Sequence, residues 1–93
     1  MPEAAVTPAR PRLAPGVRLH FDSTRNAWLL LAPERVIETD GSAEAVLKLC
    51  DGQRTVGQIV DVLAAAYAAD RAEIAADVGD LLADLAAKRL VLL

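Results

Sequence analysis

Cysteine, histidine and aromatic residues are scarce in this 93-residue chain, which has one cysteine (Cys50), one histidine (His20) and three aromatic residues. A single cysteine cannot form an internal disulfide, and it cannot by itself supply the four ligands of a structural zinc site. A stacking platform for single-stranded nucleic acid uses several aromatic residues on one face, so three in the whole chain argue against one. We therefore expect no metal, and a lone cysteine is typical of a reducing cytoplasm.

Positive charge and long apolar runs are lacking as well. The ten lysine and arginine residues are outnumbered by thirteen aspartate and glutamate residues, which gives a net charge of −3. A protein that binds duplex DNA concentrates basic residues on one face, so we expect no nucleic acid partner. The first residues do not have the basic and apolar regions of a secretory signal, and no run approaches the roughly 20 apolar residues of a membrane span. We expect a cytoplasmic protein with no membrane partner.

The chain has enough apolar side chains for one small core, because it contains 9 valine, 3 isoleucine and 14 leucine residues. Four of its five prolines lie in the first fifteen residues, where they fix φ and remove backbone donors. We predict a flexible, extended or disordered arm over residues 1–15 and a single domain over residues 16–93.

The first half of that domain has the residue pattern of three strands. Val17, Leu19 and Phe21 alternate with polar residues and predict a strand at about 17–22. An apolar run from Trp28 to Leu31 predicts a central strand at about 27–31. The turn residues Pro33 and Glu34 then precede a third strand at about 35–39, at the edge of the sheet.

The second half has the spacing of amphipathic helices, which we predict at about 42–50, 55–68 and 71–88. Ser42 reads as the cap of the first helix, and Thr55 and Gln58 have the spacing of a capping box for the second. Asp70 and Glu73 have the same spacing at the start of the third. The apolar tail, residues 90–93, is expected to pack against the core.

Together these elements predict an α+β fold. A three-stranded antiparallel sheet followed by a three-helix bundle, with the last two helices joined by a tight turn, is typical of a winged helix-turn-helix-like domain.

Catalytic groups are not evident in this pattern. His20 falls on the polar side of the first predicted strand, and Cys50 falls on an apolar helix stripe, where a free cysteine acts as a small hydrophobe. The glycines are dispersed and form no phosphate-binding loop. Asp77, Asp80 and Asp84 are explained by the solvated face of an amphipathic helix. We predict that the protein is not an enzyme and has no cofactor.

The third predicted strand is the most informative surface. An edge strand exposes unpaired N–H and C=O groups, and natural sheets usually block such edges with lysine, proline or bulges. Here Val36 and Ile37 put β-branched side chains on both faces. Taken alone, this pattern is also explained by one residue in the core and one exposed at the surface.

Several motifs in the chain resemble one family, the pyrroloquinoline quinone (PQQ) synthesis protein D family. The resemblance runs from about Pro11 to Leu93. It is carried by Pro11-Arg12-Leu13, Gly16-Val17-Arg18-Leu19, Phe21-Asp22, Trp28-x-Leu30-Leu31-x-Pro33-Glu34-Arg35-Val36, Leu49-Cys50-Asp51-Gly52-x-x-Thr55-Val56-x-x-Ile59 and Asp77-Val78. The segments around Pro33-Glu34-Arg35 and Cys50-Asp51-Gly52 are the most specific.

The resemblance implies a non-catalytic peptide chaperone of the kind called a RiPP recognition element, where RiPP means a ribosomally synthesised and modified peptide. Such a protein binds the PQQ precursor peptide as an added strand. It then delivers the peptide to a radical S-adenosylmethionine (SAM) enzyme, which cross-links a glutamate and a tyrosine within it. The implied binding residues are Arg35, Val36, Ile37, Glu38 and Thr39 on the edge strand, with Asp77, Val78, Leu81, Leu82 and Leu85 on the third helix. The same helix residues are needed for the core, so the sequence leaves open which of them face the peptide.

Two other classes share parts of this pattern. A winged-helix DNA-binding regulator has the same architecture, but its recognition helix carries residues that reach base edges, and the second predicted helix here has only Gln58. A small acyl- or peptidyl-carrier domain would match this chain in size and acidity, with Ser42 as the attachment site of the phosphopantetheine arm. Carrier domains, however, have no sheet before their helices. For the peptide-binding protein we expect a monomer that can form a strand-swapped dimer when concentrated.

Overall fold

The computed structural model describes residues 9–93. In chain order the elements are β1 (Arg12–Leu13), β2 (Arg18–Asp22), β3 (Ala27–Ala32), β4 (Arg35–Thr39), α1 (Gly41–Leu47), α2 (Val56–Tyr67), α3 (Arg71–Ala87) and β5 (Val91–Leu92). The predicted α+β fold is confirmed over these residues: a three-stranded antiparallel sheet precedes three helices.

The three-stranded sheet has the order β2-β3-β4, so the apolar strand β3 is central, as predicted. Pro33 and Glu34 form the tight connection between β3 and β4. Leu19 on β2 and Ile37 on β4 both pair with Leu30, and these three side chains share the face that packs against the helices. Alternation along β4 therefore turns Val36 to the opposite, outer face.

The core lies between this face of the sheet and the three helices. Leu30 on β3, Ile59 and Val60 on α2, and Val78 on α3 are all buried. The capping box of α2 is confirmed, because the N–H of Gln58 donates to Thr55 Oγ1 at 3.2 Å and the N–H of Thr55 donates to Gln58 Oε1 at 2.8 Å.

The cap of α1 differs from the prediction, and the cap of α3 agrees with it in position only. Asp40 caps α1, since its Oδ1 accepts from the N–H of Ala43 at 2.8 Å, whereas Ser42 lies within the first turn. Ser42 is the second residue of α1 and lies two residues after this cap, so it does not occupy the N-cap position. Asp70 stands at the start of α3 but makes no side-chain cap hydrogen bond.

The predicted arm also differs from the structure in its second half. Residues 1–8 lie outside the described residues, but residues 9–15 belong to the folded domain. Pro11 is fully buried, and β1 pairs antiparallel with β5. The carbonyls of Ala9 and Pro11 accept hydrogen bonds from the N–H groups of Val56 and Gly52. Proline suits this segment because its carbonyl still accepts where its nitrogen cannot donate.

The carboxyl-terminal segment packs as predicted. Leu90 and Val91 are 0% and 1% exposed, and the N–H of Leu90 returns to the carbonyl of Leu85 at the end of α3. Because β5 then pairs with β1, both ends of the described chain are fixed to the helical layer.

Candidate functional site

The outer edge of β4 is the first component of the candidate site. Ala32 and Arg35 close a two-residue turn and therefore form a hydrogen-bonded pair. Pairs alternate along an antiparallel ladder, so Ile37 and Thr39 also direct their main-chain groups toward β3. The N–H and C=O groups of Val36 and Glu38 consequently point away from β3, toward the open edge.

The side chains of β4 divide between the two faces of the sheet. Ile37 packs against the core, whereas Val36 is 60% exposed on the outer face beside Leu31. Thr39 Oγ1 donates to the carbonyl oxygen of Trp28 at 3.3 Å and so fixes the end of the strand to β3. An added strand would therefore meet a rigid edge with one apolar side chain on each face.

A cavity of about 640 Å³ opens where β4 leads into α1. Its walls come from α1, the second half of α2 and the part of α3 from Ile74 to Leu81. The apolar members of these walls are Val46, Leu63, Tyr67, Ile74, Val78 and Leu81. Tyr67 is 60% exposed, so its ring stands at the mouth of the cavity. The space has the apolar lining and the volume to accept several apolar side chains.

The cavity is one end of a longer groove between β4 and α3. At the other end, Arg35 Nη2 donates to the carbonyl oxygen of Lys88 at 2.7 Å, which ties the start of β4 to the end of α3. Asp40, directly after β4, and Asp77, in the first half of α3, both line the cavity. The strand and the helix therefore run in opposite directions along the two sides of the groove.

The structure separates the five α3 residues that the sequence singled out. Asp77, Val78 and Leu81 line the cavity. Leu82 and Leu85 do not; they are 2% and 5% exposed and belong to the core cluster. Their side chains stabilise the fold from behind the groove.

Sequence reasoning missed two residues of the cavity wall, Tyr67 and Ile74. Ile74 has the helical spacing of Val78 and Leu81 on α3, which marks it as part of an apolar stripe without showing what it faces. Tyr67 has the helical spacing of Leu63 on α2, so the sequence pattern places it toward the core, whereas it is 60% exposed in the structure.

Ionisable groups that could support catalysis are dispersed. His20 is exposed on the outer face of β2, as predicted. Cys50 is buried, its thiol donates to the carbonyl oxygen of Val46 at 3.4 Å, and burial and the neighbouring Asp51 carboxylate raise its pKa to about 11. Within residues 9–93, no three histidine, cysteine or acidic residues cluster as metal ligands would. The helices in this part of the chain are too short or too polar to span a bilayer.

The chain is similar to known proteins of one family. The family model of coenzyme PQQ synthesis protein D (PqqD) matches residues 27–91. The PqqA binding protein of Rhodopseudomonas palustris strain HaA2 is 54% identical over 80 residues, which cover 86% of this chain and 78% of that protein.

Two solved structures resemble the whole described fold. The first is the solution structure of the PqqD part of Methylobacterium extorquens PqqCD, a stand-alone RiPP recognition element. It is 53% identical, has a TM-score of 0.78, and the match covers 89% of this chain and 88% of that one. The second is the crystal structure of PqqD from Xanthomonas campestris, which is 47% identical with a TM-score of 0.61 over 87% of this chain and 90% of that one.

Proposed function

Because the chain belongs to the PqqD family of coenzyme PQQ synthesis proteins, we propose that it is a peptide-binding chaperone that holds the PQQ precursor peptide, PqqA, on the edge of β4. The observation that supports this proposal is the open edge of β4 beside an apolar groove. Strand addition takes its affinity from main-chain hydrogen bonds and its specificity from side-chain pockets, and needs no catalytic group.

The binding free energy requires both main-chain hydrogen bonds at the edge of β4 and burial of peptide side chains in the groove. Val36 and Glu38 each offer one N–H and one C=O, so an added strand gains about four main-chain hydrogen bonds. At roughly 0.5 to 1.5 kcal/mol each, these barely offset the 2 to 5 kcal/mol or more that ordering a flexible peptide costs. Burial of peptide side chains against the cavity wall supplies the remainder, at about 25 cal/mol per Å² of apolar surface.

The binding residues follow from this arrangement. Val36 and Glu38 supply main-chain groups, while Arg35, Ile37 and Thr39 present side chains toward the groove. Asp77, Val78 and Leu81 form the opposite wall with Tyr67 and Ile74. Leu82 and Leu85 support that wall from the core without touching the peptide.

Two proline variants test the binding mode. Val36→Pro removes an outward N–H and leaves the β3–β4 ladder intact, so it should weaken PqqA binding at least about tenfold, or 1.4 kcal/mol, while the fold is kept. Ile37→Pro removes an N–H that faces β3 and should destabilise the sheet itself. Isothermal titration of each variant, preceded by a thermal melt, measures both effects. If folded Val36→Pro protein binds PqqA as the parent does, the peptide lies elsewhere.

The second part of the proposal concerns the step after binding. The protein would present PqqA to a radical SAM enzyme and have no turnover of its own. In an assay of peptide cross-linking by that enzyme, added protein should raise the yield, and Val36→Pro protein should not. Cross-linking by the protein alone would contradict the assignment of a non-catalytic role.

A further inference from the structure

The groove between β4 and α3 carries opposite charges at its two ends. At the cavity end, Asp40 and Asp77 both contribute to the lining, and no basic side chain does so among the described residues. Asp77 is exposed and forms no ion pair within residues 9–93. The lining at this end therefore includes two carboxylates, and that of Asp40 also caps α1.

The other end of the groove is basic. Arg35 reaches across it to the carbonyl of Lys88, and Arg89 follows directly in the chain. Two acidic residues lie near these three basic ones, since Asp84 pairs with Lys88 at 3.0 Å and Glu34 precedes Arg35. The net charge at this end is therefore +1. The excess is small, but it is opposite in sign to that at the cavity.

The distance between the two ends fits a short extended segment. From Arg35 to Asp40 the chain advances five residues, or about 16 Å at roughly 3.3 Å per residue, and a strand added beside it covers the same length with the same number of residues. Peptide charges that match the two ends would therefore lie about five residues apart in the peptide.

We infer that the groove selects peptides by charge order: a basic residue next to an apolar side chain that enters the cavity, and an acidic residue about five positions further toward the carboxyl terminus. The order follows from antiparallel addition, the pairing used throughout this sheet, which puts the amino-terminal end of the peptide beside Thr39 and Asp40. This inference rests on the proposed function, and it adds what fixes the direction and register of the bound peptide.

A charge-reversal variant tests the acidic end. Asp77→Lys exchanges attraction for repulsion at the cavity and should weaken binding of PqqA about three- to tenfold at 50 mM salt, since an exposed pair contributes modestly. The matched control is Asp80→Lys, which makes the same charge change on an exposed position of α3 outside the cavity lining. It should stay within about twofold of the parent. The difference between the two variants should shrink at 0.5 M salt because the charges are screened.

Changes in the peptide then establish the order. A synthetic peptide with a lysine beside an apolar residue and a glutamate about five positions later should bind the parent protein more tightly than Asp77→Lys protein, and replacement of that lysine by glutamate should reverse this preference. A second peptide with the positions of the lysine and the glutamate exchanged should bind the parent protein more weakly than the first peptide. If the exchanged peptide binds equally well, charge order does not orient the peptide and the inference is overturned.

The controls also separate this inference from the proposed function. If the parent protein binds PqqA but Asp77→Lys behaves as Asp80→Lys does, only the inference on charge order is wrong. If the parent does not bind PqqA at all, the proposed function is wrong and the inference falls with it. Self-association that prevents PqqA from binding would identify a second copy of the chain as the occupant of the groove and would also overturn it.

Discussion

At the scale of single residues, Cys50 shows how the fold controls a reactive group. Its side chain is buried against α1, and its thiol donates to the carbonyl of Val46. Ionisation would put a charge in an apolar site next to the Asp51 carboxylate, so the pKa rises from 9.0 to about 11. At neutral pH the thiol stays protonated, and only the thiolate is a nucleophile.

Two measurements follow from the raised pKa of Cys50. At pH 8 a disulfide reagent should modify the native thiol about a hundredfold more slowly than the unfolded one, because two pKa units separate their thiolate fractions. The folded state also binds the thiol proton more tightly than the unfolded state. The free energy of unfolding should therefore fall as pH rises from 9 to 11, by up to roughly 2 to 3 kcal/mol.

The control for both measurements is Cys50→Ala. The free energy of unfolding of this variant, measured by denaturation, should not show the decrease above pH 9 that ionisation of Cys50 causes in the parent. Equal slopes for parent and variant above pH 9 would contradict the assignment of that loss to Cys50.

At the scale of elements, local patterns predicted most of the fold. Alternation of apolar and polar residues predicted the strands, because each strand buries one face. Apolar residues at a period of 3.6 predicted the helices for the same reason. The two-residue strands β1 and β5 were missed as a pair because two residues carry no period. Proline content in the first fifteen residues was taken as a sign of flexibility, whereas Pro11 is buried and its carbonyl is used.

The candidate site was predicted less completely, because it joins elements that are far apart in the chain. The open edge at β4 follows from strand order, which the sequence supports. Which of Val36 and Ile37 faces outward depends on the pairing across the Pro33-Glu34 turn, and both residues are β-branched, so composition cannot distinguish them. The contribution of Tyr67 depends on how α2 meets α1 and α3, which no local pattern specifies.

Removal of β1 tests the role of the amino-terminal segment. Deletion of residues 1–14 would leave β5 without its partner and would leave the N–H groups of Gly52 and Val56 without their acceptors. Each lost acceptor costs about 1 to 3 kcal/mol if the group stays buried. We expect the free energy of unfolding to fall by at least about 3 kcal/mol, measured by urea denaturation.

Deletion of residues 1–8 is the matched control, since it keeps every contact described for residues 9–15. The free energy of unfolding should fall much less than it does after deletion of residues 1–14. Equal losses for the two truncations would show that β1 contributes nothing beyond the segment before it.

At the scale of the whole molecule, charge and topology favour a peptide over a nucleic acid. Residues 1–39 carry five basic and four acidic groups, whereas residues 40–93 carry five basic and nine acidic ones. The helical half is thus the acidic half, and α3, the second helix of the tightly joined pair α2–α3 and hence the counterpart of a recognition helix, has four acidic residues and one arginine. A DNA phosphate backbone would meet repulsion on this side. A peptide that adds to the edge of β4 has no phosphate backbone and so does not meet this repulsion.

The same open edge governs self-association, which is the last prediction. Two copies could pair through β4, or could exchange β1, whose partner β5 lies at the other end of the chain. Either route forms few new contacts, so we expect a monomer at micromolar concentration and a dimer only when the protein is concentrated.

Light scattering over a hundredfold range of concentration measures this equilibrium. The same measurement with added PqqA distinguishes pairing through β4 from exchange of β1. A peptide on β4 occupies the edge that pairing through β4 requires, so saturating PqqA should return a concentrated sample to a one-to-one complex. A β1-exchanged dimer should persist in the presence of PqqA, because its exchanged strand lies away from β4. A tight dimer already present at nanomolar concentration would contradict the prediction, since an edge that is permanently paired is not free to receive a peptide.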